Sequence, residues 1–431
     1  MPELPVEAGA GDKPFLILVS SYGRSSREYF LASVGSRYRM WLFLGGPGRL
    51  SEPTWELAYT IGHTSLDTLD ATAMTAEAKR LDNQLRSEHG EGIAGIISYD
   101  EARVVATAAV AEALGLPTSP VEAIERCRDK HRTRQALDAA NVPQAKSVAV
   151  RSPEQATSVA DRLGYPVVVK PRHLAVSLGV TRADSAEELT AAYSRAVSIT
   201  LPETPGDYDD PVLVEEYLDG PEISVDSACF DGRIVPLAVA HKEVGFPPSF
   251  EEVGHVVDGA DPLLHDEHLH DVLARAHQAV GFSTGMTHTE LRRTETGFKV
   301  IEINARLGGD LIPYLGQLAT GVDLSLAAAA IACGQTPDLT PGSSQVAAVR
   351  FYYPDQDLTV AEVRIEDDRL PASILQADVL AAPGQHLTLP QRRTGVAGRL
   401  AQAVAVGGSE EDCQAALDAV ADAITVVAAA Q

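Results

Sequence analysis

Two glutamates, an asparagine and an arginine carry the densest chemistry in this sequence. They lie in residues 288–310, which read His-Thr-Glu-Leu-Arg-Arg-Thr-Glu-Thr-Gly-Phe-Lys-Val-Ile-Glu-Ile-Asn-Ala-Arg-Leu-Gly-Gly-Asp. Two runs with strand character flank Thr294 to Gly297, and a three-residue loop over 295–297, with Gly297 left-handed, predicts a hairpin. That register sets Glu290 opposite Glu302, and directly opposed residues share a face. Alternation adds Asn304 to the same face and turns Ile301 and Ile303 away. Arg306 follows just beyond the strand end. Opposed like charges destabilise a sheet unless neutralised. A hard divalent cation such as Mg²⁺, held by one or two carboxylates together with substrate phosphates, would do so. The competing reading is a solvated hairpin whose charges face water.

The elements that must position this hairpin follow from the rest of the chain. Residues 15–19, 40–44 and 92–97 are short apolar runs, and helical stretches are expected at 26–34 and 101–114. Strands alternating with helices predict a doubly wound parallel α/β unit. Its first turn, at residues 20–24, lacks a G-x-G-x-x-G fingerprint. Loops at strand ends in such sheets meet ligands, so these residues are candidates for substrate contact.

Residues 122–140 read as one helix, 147–150 as a strand, and Ser152-Pro153 as the cap and first position of a helix. Residues 166–171 form a strand closed by Lys170, a loop follows over 172–180, and residues 187–200 are helical. Residues 201–210 read as a loop. Residues 211–226 are expected to be strand, linker and strand, and 233–240 a further strand. The segment 243–262 reads as a loop carrying Glu252 and His255, and 265–280 as a helix. Its histidines, His265, His268, His270 and His277, read as a solvated face, and His288 shares the metal face. Residues 313–332 are expected to be helical. A Pro/Gly/Ser/Thr-rich boundary at 337–344 precedes strands at 345–353 and 375–382 and a helix over 410–428, a smaller α+β unit.

Charged residues make up 22% and hydrophobic residues 45% of the 431, an ordinary globular composition. A formal net charge of −25 argues against tracking nucleic-acid phosphates or an anionic membrane. Cys127, Cys229, Cys333 and Cys413 lie far apart without a CxxC pair, so neither a zinc site nor a disulfide framework is indicated, and a reducing cytoplasmic setting is expected. Residues 1–13 are acidic and lack the pattern of a signal peptide. No apolar run reaches the length of a membrane span.

Lys130 in a helix, Lys170 at a strand end, Glu215-Glu-Tyr-Leu-Asp-Gly-Pro-Glu222, and Glu290 followed by Glu302-Ile-Asn304-Ala-Arg306 occur in an order that resembles the ATP-grasp enzymes. The resemblance covers about residues 123–339. It implies three parts: a preceding α/β domain over 1–122, an ATP-grasp domain of two sheet-bearing lobes over 123–340 with its small lobe at about 145–220, and a C-terminal α+β domain over 341–431.

By the same resemblance Lys130 and Lys170 would contact phosphates, with Lys170 also reaching the adenine. Glu215, Glu216, Tyr217 and Leu218 would hold the adenine edge and Glu222 the ribose. Glu290, Glu302 and Asn304 would hold two Mg²⁺ ions, Mn²⁺ being the alternative, and Arg306 would steady the transferred phosphoryl group. The family's phosphate loop is often Gly/Ser-rich, whereas residues 172–180 offer only Ser177 and Gly179.

Glu252-Val-Gly-His255 and Arg306-Leu-Gly308-Gly309-Asp310 further resemble bacterial L-amino-acid ligases. In those enzymes such residues lie near the reacting amino acids and the acyl-phosphate. The expectation is an ATP-dependent carboxylate–amine ligase acting on a small carboxylic acid and an amino acid, with a homodimer as the default assembly. Carboxylation or a purine-synthesis ligation, and a non-catalytic nucleotide-binding protein, are the alternatives. The intact acidic trio speaks against the last.

Overall fold

The computed structural model describes residues 13–21, 23–46, 52–201, 209–393 and 398–429. Most of the acidic start, Tyr22 of the first strand-end loop, and residues 202–208 of the expected 201–210 loop lie outside them. The chain divides into two compact units, Met1–Thr118 with Ser325–Pro337, and Ser119–Leu324 with Asp338–Gln431.

The first unit is built on the expected parallel sheet. Its strands run in the order Gly62–Ser65, Arg39–Leu44, Phe15–Val19, Ile93–Ile97, all parallel. All five residues of Phe15–Val19 are buried, so the continuous apolar run reflects a strand covered on both faces. Asp70 accepts from the Thr72 and Ala73 amides to start the helix Ala71–His89, and Gly90, at φ 78°, ends it. Beyond the first strand, Ser20 is buried and donates to Asp100 (3.1 Å), which also pairs with the fully buried Arg103 (3.0 Å).

Among the described residues the second unit contains three sheets. The largest is an eight-stranded antiparallel sheet ordered Gly297–Asn304, Gly285–Thr294, Glu222–Phe230, Arg233–Gly245, Glu251–Asp258, Val346–Tyr352, Ala401–Gly407, Ile374–Val379. The chain after residue 340 therefore continues the sheet that carries the hairpin. A four-stranded sheet orders Ser147–Val150, Val212–Glu216, Val167–Pro171 and Thr181–Ala183. Helices Pro153–Leu163 and Ala186–Ser198 pack on it through Val159, Leu189 and Ala192. Ser152 and Ser185 cap those helices by accepting from Gln155 and Glu188 amides. A three-stranded sheet joins His386–Leu387, Leu358–Ile365 and Ile424–Ala428.

Four local expectations are corrected. The segment 243–262 is not a loop: strand Arg233–Gly245 runs through its start, and Glu251–Asp258 is a strand pairing on both sides. The helix expected at 122–140 is two, Val121–Arg128 and Lys130–Ala139, because Asp129 turns extended and accepts from the His131 and Arg132 amides as a new cap. The stretch 313–332 is likewise two helices, Ile312–Thr320 and Leu324–Ala332, the first ended by Gly321 at φ 77°. The last helix stops at Ala423, and the β-branched Ile-Thr-Val-Val that follows is a strand. Among the described residues no single helix is long and apolar enough to cross a membrane.

Candidate active site

The hairpin sets the site. Its turn holds two residues rather than three, since Thr294 pairs with Gly297. One bulge restores the expected register: Leu291 pairs with Val300 and Glu290 with Glu302, leaving Ile301 as the extra residue. His288 faces Asn304, whose Nδ2 lies 3.5 Å from the His288 carbonyl. Glu290, Glu302 and Asn304 thus supply two carboxylates and a carboxamide on one face, the all-oxygen donor set that Mg²⁺ takes. These residues fit a divalent ion.

Lysines gather on the same carboxylates. Lys130, first residue of the helix that Asp129 caps, lies 2.9 Å from Glu302 and donates to the Leu174 carbonyl (2.6 Å). Asp129 itself receives both prongs of Arg172 (2.8 and 2.6 Å), tying the 172–180 loop to that helix start. Lys242, on Arg233–Gly245, is the residue that sequence reasoning missed. Its side chain is fully buried and reaches Glu252 (2.8 Å), Glu290 (3.1 Å) and Glu222 (3.5 Å). Burial disfavours its charge, but the three carboxylates outweigh that and hold the ammonium well above its ordinary range. Burial pushes Glu222 up, against Lys242, and Glu222 also pairs with Arg292 (2.9 Å). A lone lysine in a strand carries no motif. Its one signal was its place opposite His255 across the neighbouring strand, visible only once residues 251–258 are strand.

His255 is wholly buried, with Nε2 3.2 Å from Glu252 and 3.7 Å from Asp310. Burial opposes its charge, yet the two acids raise its pKa. The same burial would raise Glu252, but Lys242 and His255 bring it to about 2. Asp310 is held in turn by Arg399, Nη1 and Nη2 donating at 2.7 and 2.8 Å. Glu252 and His255 thus lie together, in a strand rather than the expected loop and with Asp310 as a third member. Gly308 lies against the buried pair His288–Asp226 (2.7 Å), and its amide points to Asp226 Oδ2 at 3.4 Å. Burial acts against His288, but Asp226 and then Glu290 lift it to about 9. Gly309 is half-buried beside it. Arg306 is also half-buried and donates to the Leu307 carbonyl (2.8 Å).

A second cation–acid group lies at the linker. Glu215 is buried between Arg134 (2.7 Å) and Lys170 (2.6 Å). Burial acts to raise its pKa, but the two cations bring it to about 2. Its carboxylate is therefore engaged inside the protein. Glu216 meets Lys299 (3.4 Å), Leu218 is buried, and Tyr217 lies under the Arg182 guanidinium (4.5 Å). Ser177 is half-buried at φ 51°, next to Val176 at φ 52°.

The solvated histidine face is corrected at one position. His265, His268 and His270 are exposed, but His277 is fully buried, its nitrogens 2.6 Å from the Leu273 carbonyl and 2.8 Å from Thr287 Oγ1. Both ring nitrogens are satisfied by one donor and one acceptor, the neutral imidazole.

Paired acids, buried lysines beside them and a linker between two sheets make up the candidate site. Residues 163–314 match the model of the ATP-grasp domain. It is 29% identical over 349 residues to an uncharacterized protein, y4rH, of Sinorhizobium fredii, across 80% of this chain and 69% of that one. It is 28% identical over 273 residues to the alanine–anticapsin ligase of Bacillus subtilis, across 57% of this chain and only 56% of that protein. The structure of an L-amino acid ligase from Bacillus licheniformis superposes with a TM-score of 0.75 at 20% identity, covering 97% of this chain and 99% of that one.

Proposed function

We propose that this protein is an ATP-dependent carboxylate–amine ligase that forms a peptide-like amide. The carrying observation is that one sheet face joins the Glu290–Glu302–Asn304 trio to the Glu252–His255–Asp310 cluster through a single side chain, Lys242. Phosphoryl transfer and amide formation would then share one cleft.

In this reading an oxygen of the substrate carboxylate takes the γ-phosphoryl group, the bond to the bridging β–γ oxygen breaks, and ADP leaves. The amine nitrogen attacks the acyl carbon of the acyl-phosphate and phosphate departs. Bound Mg²⁺ supplies charge neutralisation at the phosphates, held by Glu290, Glu302 and Asn304. Lys130 and Lys170 meet the phosphates as point charges. Glu215 to Leu218 present backbone groups to the adenine, and Glu222 takes the ribose once released from Arg292. Ser177 contributes from the phosphate loop. Arg306 steadies the phosphoryl group, and the backbone of Gly308 and Gly309 lines the acid's place. The incoming ammonium must lose a proton before attack, and in this reading Glu252 or His255 assists that step. The enzyme's contribution is positioning and electrostatic stabilisation.

ADP release measured against paired amino acids, with mass detection of any dipeptide, tests the proposal. Release that rises with amino acids and a new amide mass are the expected results. Release that depends on bicarbonate instead would replace it with a carboxylase, and no Mg²⁺-dependent release under any pairing would end the enzymatic reading.

A further inference from the structure

Residues Arg306 to Asp310 enter the helix Ile312–Thr320 through two consecutive non-glycine residues in the left-handed region, Asp310 at φ 50° and Leu311 at φ 64°. Each costs free energy, and such a turn persists only where its surroundings over-determine it. Leu311 is buried and cannot relax outward. Asp310 is held from outside its own segment. Both Arg399 Nη atoms donate to its two oxygens (2.7 and 2.8 Å), Arg399 Nε donates to Tyr353 Oη (3.0 Å), and the guanidinium stacks on Phe351 at 3.5 Å. Tyr353 Oη donates in turn to Glu251 (2.6 Å), which Arg393 grips at 3.1 and 2.7 Å. Every member of this chain except Glu251 and Asp310 comes from the segment after residue 340.

We propose that Arg399 is a positioning residue: it pins Asp310, and with it the Arg306–Asp310 loop and the acidic side of His255, in the form that receives the amino-acid substrate. The C-terminal segment thereby completes the ligase site without touching the nucleotide. This rests on the ligase reading above. A planar two-pronged contact is what an arginine supplies and a lysine does not, so Arg399→Lys should behave as a loss and Arg399→Ala should respond to free guanidinium.

The test compares wild type, Arg399→Ala and Arg399→Lys in two assays. In amino-acid-dependent ADP release, both variants should lose on the order of 100-fold in kcat/KM for the amino acid, the scale of a misplaced reacting group. KM for ATP should hold, and added guanidinium chloride should restore Arg399→Ala in part. Amide hydrogen exchange, which needs no turnover, should speed up in residues 306–311 of Arg399→Ala and slow again with guanidinium. Unchanged exchange in that loop, or equal losses for ATP and amino acid, would overturn the role of Arg399. A wild type without amino-acid-dependent ADP release would sink the ligase reading alone, since the exchange result still decides the clamp.

Discussion

Lys242 lies 2.8 Å from Glu252 and 3.1 Å from Glu290, so one buried ammonium bridges an acid of the Glu252–His255–Asp310 cluster and an acid of the Glu290–Glu302–Asn304 face. Removing it would strand buried carboxylates without a counter-charge. Lys242→Met should lower the unfolding free energy by about 3–5 kcal/mol, as breaking a buried pair does. Urea titration reads the change, and a loss under about 1 kcal/mol would show that these acids do not depend on Lys242.

The acidic trio should be required for ion binding before it is required for turnover. Glu290→Gln and Glu302→Gln should each weaken Mn²⁺ binding in the presence of ATP, followed by the spin-resonance signal of the free ion. ADP release should fall at least about 100-fold, the scale of removing one preorganised charge-stabilising group. Wild-type Mn²⁺ affinity in both variants would remove the trio from metal binding.

Gly308 has no room for a side chain. A Cβ there would stand 2.8 Å from His288 Nδ1 and 3.2 Å from both Asp226 oxygens, and those two groups pin each other at 2.7 Å. Gly308→Ala should cost about 1–3 kcal/mol by overpacking and raise KM for the amino acid more than KM for ATP. Thermal melting and initial rates measure the two, and an unshifted melting temperature would mean the pair gives way freely.

His277 should make stability pH-dependent. Burial lowers its pKa from 6.5 to about 4, so the folded state favours the neutral ring. Its contribution is fully present above pH 6.5 and is lost as pH falls through about 4. His277→Gln should flatten that part of the profile between pH 6.5 and 4 in denaturant titrations. An identical slope in wild type and variant would contradict this.

What could be read in advance was whatever sat in a run. Val167–Val169 is β-branched and leads to Lys170, the Ser152-Pro153 pair announces a helix, and the acids of 290–304 alternate on strand spacing. The hairpin face came out right for a partly wrong reason, because a shorter turn and the bulge at Ile301 offset one another. Residues 251–258 were misread because Glu251 and Glu252 are held by the buried cations Arg393 and Lys242, so the usual equation of charge with loop fails there. Lys242 and Arg399 were invisible for another reason: each acts through partners on other strands or loops, Glu252 lying 10 residues from Lys242 and Asp310 lying 89 from Arg399. Asp129 is a local case, a capping residue inside an otherwise helical stretch, and its side chain could have been weighed as a breaker.

The pairing of Gly254–Asp258 with Val346–Arg350 bears on how the chain can be cut. A fragment ending near residue 340 would leave the His255 strand as a raw margin, its amides and carbonyls open to any extended neighbour. Such margins recruit other copies. Shortened versions made to isolate the nucleotide-binding part should therefore clump, while the uncut chain keeps that margin covered.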